Sequence, residues 1–324
     1  MTNETTSPDR IAPPVGGFQE IDGRRVFVHR SGSGGPAVVF LPGASAVGLD
    51  YFGVQQEVSR FTTAVVYDRG GTGYSDPVPL PRTAGAVATE LRELLTAQNI
   101  PGPYVLVAHS LGGFYAHRFA QLHPGEVAGL VWLDAFHRDW DDFMPPEAGL
   151  DAVERMAPGR EQLEQLRPAL REMFAELLAD YPEDLRQALL EAKTSDQWMH
   201  VGIAERGTLA DLATELRAGP DIPDVPVVAL TVVGTDPGQK ALTPEETLRR
   251  MREGRTKLDA ALVSGVSHGE QRILSDTAHH RLCFDRPDAV VQAIRDVVDR
   301  ATRAQTRAQT RAHTRAHTRA QTRA

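Results

Sequence analysis

Ser110 stands in Ala108-His-Ser-Leu-Gly-Gly113, between the apolar run that begins at Tyr104 and the segment Phe114-Tyr-Ala-His-Arg-Phe-Ala-Gln-Leu122. The run suits a strand buried on both faces, and the following segment has apolar residues at helical spacing. A serine on so tight a strand-to-helix turn holds its hydroxyl clear of the backbone, beside the positive end of a helix. The same serine would also serve as an ordinary helix N-cap, so its partners decide between the two readings. A hydroxyl becomes a nucleophile when a base takes its proton, and that base needs a third group to orient it. The base expected here is His280, in Thr277-Ala-His-His-Arg-Leu-Cys-Phe-Asp-Arg-Pro287. Its neighbour His279 is the rival, since a shift of one residue exchanges them. His268 precedes the last strand and so lies at the wrong end of a parallel sheet.

Two aspartates can stand behind the imidazole and fix its tautomer. Asp134 closes the run Leu130-Val-Trp-Leu-Asp134, and Asp236 lies in Gly234-Thr-Asp-Pro237. Each also has a plain structural use, Asp134 as a cap and Asp236 as the start of an Asp-Pro turn. The reading favours Asp134 and leaves Asp236 open. Donors for a developing oxyanion are expected from the backbone N–H groups of Leu111 and of Ala44, the latter just after Pro42-Gly43. Losing one such donor typically costs about 10²–10³ in rate.

These residues need a scaffold that brings strand ends together. Predicted strands cover Phe18–Ile21, Arg24–Arg30, Ala37–Leu41, Ala64–Tyr67, the run before Ser110, Val127–Asp134, Val225–Val233 and Gln271–Leu274. The Asp22-Gly23 pair between the first two is a hairpin turn. Helical patterns near 50–60, 84–99, 244–254 and 288–300 alternate with the strands, which implies a mostly parallel sheet covered on both faces. Residues 139–220 break the alternation with helical segments and read as an insertion over one end of the sheet. Ligands of such sheets bind beyond the carboxyl ends of the strands, where Ser110, Asp134, Asp236 and His280 all fall. The expected organisation is therefore a flexible segment 1–17, a core of 18–138 and 221–300, a helical cap 139–220 and an arginine-rich tail 301–324. Trp140, Phe143, Trp198 and Met199 of the cap are expected to line a substrate pocket.

The chain of 324 residues has 41% hydrophobic and 24% charged residues, ordinary for a soluble globular protein. No apolar run approaches the roughly 18 residues that span a bilayer. The polar N-terminus has no signal-peptide pattern, and the single cysteine, Cys283, fits a reducing compartment. A cytoplasmic location is therefore expected. The net charge is −8, and six arginines with no acid lie beyond residue 300, so residues 1–300 sum to −14. An acidic body argues against nucleic acid as the main ligand. No zinc spacing and no phosphate-binding glycine loop is present, so no metal or cofactor is expected. The tail repeats Thr-Arg-Ala-Gln/His with a period of four, which gives a helix no apolar face and reads as a solvated extension.

With these residues in place, the chain resembles the α/β-hydrolase superfamily over roughly residues 20–300. The resemblance rests on Leu41-Pro-Gly-Ala44, Tyr67-Asp-Arg-Gly-Gly-Thr-Gly-Tyr-Ser-Asp76, Ala108-His-Ser-Leu-Gly112 and His280 seven residues before Pro287, in the order Ser, acid, His. It implies a nucleophile elbow at Ser110 and an oxyanion loop at Ala44. Most members take the acid after the seventh strand, which points to Asp236; a minority take it after the sixth, which points to Asp134. Relatives that open epoxides or displace halide use an aspartate nucleophile where this chain has Ser110, so the resemblance implies ester, thioester or amide hydrolysis. The substrate is expected to be small and mostly apolar. An acyltransferase or cyclase, a cofactor-free lyase, and a ligand-binding protein without catalysis are the alternatives.

Overall fold

In the computed structural model, residues 12–321 are described. Most of the expected flexible segment, residues 1–11, and the last three residues of the tail lie outside them. Eight strands form one sheet: β1 (Gly17–Ile21), β2 (Arg24–Ser31), β3 (Val38–Leu41), β4 (Ala64–Tyr67), β5 (Tyr104–His109), β6 (Val127–Leu133), β7 (Val227–Val232) and β8 (Gly269–Leu274). Their spatial order is β1-β2-β4-β3-β5-β6-β7-β8. The β1–β2 hairpin pairs antiparallel and β2 meets β4 antiparallel, while β4 through β8 are parallel.

The reason β3 to β7 read as continuous apolar runs is visible in their burial, which is complete along each strand. Side chains alternate between two cores. Val39, Leu41, Leu106 and Ala108 face one core, with α2 (Ala84–Ala97) and α3 (Gly112–Leu122) packed on it. Val38, Phe40, Val105 and Val107 face the other, against α1 (Phe52–Val58) and the last helix.

Between β6 and β7 the chain runs through α4 (Trp140–Phe143), α5 (Leu150–Arg155), α6 (Arg160–Leu177), α7 (Glu183–Lys193), α8 (Asp196–Ala204) and α9 (Leu209–Arg217). Two buried ion pairs fasten this helical insertion to the core. Lys193 Nζ lies 2.7 Å from Asp50 Oδ2, and Glu205, just past α8, pairs with Arg69 from the loop after β4. After β7 come α10 (Pro237–Leu242) and α11 (Glu245–Ser264), then β8, α12 (Leu282–Asp285) and α13 (Pro287–Gln321).

Helix α13 runs past Arg300, where the apolar periodicity of the sequence ends. Among the described residues its last buried one is Ala301, yet alanine, arginine and glutamine are strong helix formers and the repeat holds no glycine or proline. The Thr302 and Thr306 hydroxyls donate back to the carbonyls of Val298 and Thr302. Among the described residues, no helix is long and apolar enough to cross a membrane.

Candidate active site

Three strand ends converge, and each carries a non-glycine residue in left-handed backbone: Ser45 after β3 at φ 62°, Ser110 after β5 at 51°, and Asp134 after β6 at 44°. Such strained residues persist only where their surroundings over-determine them, and they cluster at functional sites. The turn at Ser110 is held on both sides. The Ser110 carbonyl accepts from Gly113 N–H at 3.0 Å and from Phe136 N–H at 2.9 Å. The two glycines are demanded by crowding: a Cβ on Gly112 would sit 2.1 Å from the Leu41 carbonyl oxygen, and one on Gly113 would sit 2.3 Å from that of Phe136. Helix α3 can therefore start immediately after Ser110 only because neither residue has a side chain.

His279 lies 3.1 Å from Ser110 Oγ through Nε2 and 2.7 Å from Asp134 Oδ2 through Nδ1. The Asp134 carboxylate is 1% exposed. Its Oδ1 accepts from Val232 N–H at 3.2 Å, and its Oδ2 also accepts from Arg255 Nη1, on α11, at 2.8 Å. Burial alone would raise this carboxyl, but the Arg255 guanidinium and the His279 ring outweigh it and hold Asp134 below the usual carboxylate range. Because a carboxylate only accepts, Nδ1 of His279 donates, which leaves Nε2 to accept the Ser110 proton.

A second imidazole braces the first. His109 Nε2 donates to the His279 carbonyl at 3.1 Å, so its Nδ1 accepts from Tyr51 Oη at 2.8 Å. Tyr51 Oη in turn accepts from Gly43 N–H at 3.4 Å. This chain of bonds links the loop after β3 to the loop that carries His279. Burial, with the nearby His279 ring, pushes His109 down to about 3, so it stays neutral.

The loop after β3 is clamped from below. Arg69 donates to the Pro42 and Gly43 carbonyls, each at 2.9 Å, and to Glu205 Oε1. Glu205 Oε2 accepts from Ser45 N–H at 3.3 Å. Helix α8 lies against the same loop, and a Cβ on Gly202 would fall 1.8 Å from Ser45 Oγ. A Cβ on Gly43 would lie 3.0 Å from that of Ser110, so the loop backbone borders the serine. Among the described residues, neither the Ala44 nor the Leu111 N–H has a hydrogen-bond acceptor within the protein.

The geometry thus brings together Ser110, Asp134 and the Ala44 loop, but with His279 in place of His280. His280 is exposed and meets His279 edge-on, with ring centroids 4.8 Å apart. The loop is tied at the His279 carbonyl by His109 Nε2, and no local pattern encodes which of the two adjacent side chains turns inward. Asp236 is not joined to His279; it is the residue before α10. The expected pocket residues of the cap include core members. Trp140 is buried and donates its Nε1 to the Ala148 carbonyl, and Trp198 packs edge-on against Tyr74 at 5.0 Å. Arg69, Glu205, Tyr51, His109 and Arg255 are not anticipated from sequence. Arg69 carries a faint sign, the Asp68-Arg-Gly-Gly turn, whereas Glu205 meets it across 136 residues of chain. Among the described residues, no group of three or more His, Cys, Asp or Glu side chains is placed to hold a metal ion.

Residues 38–293 match the model of the alpha/beta hydrolase family. Curated relatives are matched over shorter stretches. An uncharacterised protein of Schizosaccharomyces pombe is 41% identical over 90 residues, 26% of this chain and 17% of that protein. The uncharacterised protein YqjL of Bacillus subtilis is 31% identical over 106 residues, 33% of this chain and 42% of its own. The chain therefore spans less than half the length of either. Among solved structures, Cfl2 from Burkholderia cenocepacia superposes with a TM-score of 0.64 at 20% identity, over 89% of this chain and 98% of that one. A thermophilic esterase from Thermogutta terrifontis gives 0.56 at 21%, over 88% and 97%. The epoxide hydrolase CorEH gives 0.65 at 16%, over 87% and 98%. Likeness at such identities speaks for the fold alone.

Proposed function

Starting from the fact that this chain belongs to the alpha/beta hydrolase family, we propose that it is a serine hydrolase that cleaves an ester, thioester or amide of a small, mostly apolar substrate. The observation that carries the reading is the line Ser110 Oγ, His279, Asp134, at 3.1 and 2.7 Å. In the first step His279 Nε2 takes the Ser110 proton while Oγ bonds to the carbonyl carbon, and the carbonyl π electrons move onto its oxygen. The Ala44 and Leu111 N–H groups hold that oxyanion. Collapse of the adduct breaks the bond to the leaving group, which departs with the proton from His279 and leaves an acyl ester on Ser110. Water then gives a proton to His279 and attacks the ester. The acid is released, and Ser110 recovers its proton. Asp134 steadies the imidazolium in both halves. A hydroxyl oxygen nucleophile suits attack on a carbonyl carbon, and the Ala44 and Leu111 amides, without an acceptor among the described residues, suit the charge that develops on the carbonyl oxygen.

The test is labelling with a fluorophosphonate probe followed by mass spectrometry. Label is expected on Ser110 of the wild type, lost in His279→Ala and kept in His280→Ala. Folded wild-type protein that takes no label would refute the serine-nucleophile reading.

A further inference from the structure

Asp134 Oδ2 is shared. The His279 ring and the Arg255 guanidinium meet the same oxygen, at 2.7 and 2.8 Å, whereas Oδ1 accepts from the Val232 backbone amide. We propose that Arg255 is a positioning residue that divides the charge of Asp134 with His279 and so limits how far that carboxylate supports a positive charge on the ring. The inference rests on Ser110, His279 and Asp134 acting as the triad.

The arrangement supports a directed effect. The Arg255 side chain is 13% exposed, and its Nε is buried with no partner among the described residues. Asp134 is its one ion-pair partner among them, so its charge is not spread over a network. Asp259, one turn further along α11, is the nearest possible competitor. It is engaged instead with Thr231, which donates its Oγ1 at 2.6 Å, and burial pushes it up to about 7. Near neutral pH it therefore offsets Arg255 only in part.

The groups that face His279 come from four elements. Asp134 lies at the end of β6 and Arg255 on α11, with Asp259 behind it. His109, at the end of β5, holds its ring centroid 5.0 Å away and stays neutral, with Tyr51 behind it. His280 lies alongside, within reach of the charge of Arg206 from the insertion. Of the two cations, only Arg255 is bonded to the triad acid. A cation beside a carboxylate favours the ionised carboxylate, and its field opposes a second positive charge on the neighbouring ring.

The experiment is the pH profile of kcat/KM for 4-nitrophenyl esters in the wild type, Arg255→Gln and Arg255→Lys. Gln keeps a donor and removes the charge, so the acid limb is expected to move up by about one pH unit. Lys keeps the charge and should hold the limb near its wild-type position. An unchanged limb in Arg255→Gln, or a loss of rate equal at every pH, would overturn the proposal in favour of a purely structural role. If Arg255→Gln does not fold, Arg255→Met carries the same expectation. Imidazole ¹⁵N titration of His279 separates this inference from the reading beneath it, because it needs no turnover. A midpoint that rises when Arg255 is neutralised supports charge division even in a protein without esterase activity, and an unmoved midpoint refutes it.

Discussion

At the scale of single residues, the site depends on which acid supports His279. Asp134 has three donors around a carboxylate that is almost wholly buried, whereas Asp236 begins a short helix and has no bond to the imidazole. Asp134→Asn would present an amide to His279 Nδ1 and favour the wrong tautomer, so kcat for ester hydrolysis is expected to fall by roughly 10³–10⁴-fold. Asp236→Asn should change kcat by no more than about twofold, the equivalent of ~0.5 kcal/mol, because its side chain makes no capping bond and is not joined to the imidazole. Comparable losses in the two variants would defeat the assignment. Ser110 is legible in the sequence because an apolar strand, a small residue and two glycines surround it. The inward histidine is not, since His279 and His280 share every local feature and differ only in which way a bonded loop turns them.

Among the elements, the helical insertion and the loop after β3 behave as one unit. Arg69 holds the Pro42 and Gly43 carbonyls while Glu205 holds both Arg69 and the Ser45 amide. Both side chains of this pair are 2% exposed. A buried pair of this kind adds little net stability compared with apolar residues, but removing one charge strands the other. Glu205→Gln is therefore expected to lower the free energy of unfolding by about 3 kcal/mol, measured by urea denaturation. A change below about 0.5 kcal/mol, the usual range for a surface site, would show that Arg69 finds its counter-charge elsewhere. The strands and the insertion are legible from alternation and its interruption. The clamp is not, because its two charges come from segments 136 residues apart.

For the molecule as a whole, folding must hold several histidines neutral. His117, on α3, is buried with neither ring nitrogen bonded. Burial, then the charges of His137, Arg138 and Arg118, lower it well below its ordinary value. The unfolded chain binds a proton at His117 below about pH 6.5 and the folded chain does not. The stability is thus whole above that pH and is lost as the pH falls toward the folded-state value. Replacing His117 by Leu removes this one titration and no hydrogen bond. Relative to wild type, His117→Leu is expected to gain about 2 kcal/mol between pH 8 and pH 5. Chemical denaturation at the two pH values measures it, and a difference independent of pH would mean that His117 protonates freely in the fold.

By itself the sequence determines the sheet, its helical covering, the serine elbow and the two strand-end aspartates, because apolar periodicity and tight-turn glycines are local constraints. Only the tertiary structure decides that His279 is the imidazole at Ser110, that Asp134 rather than Asp236 meets it, and that Arg255, Arg69 and Glu205 surround them. Those choices are made by hydrogen bonds and ion pairs between distant segments. A charged residue carries no local mark of the partner it will find once the chain is closed.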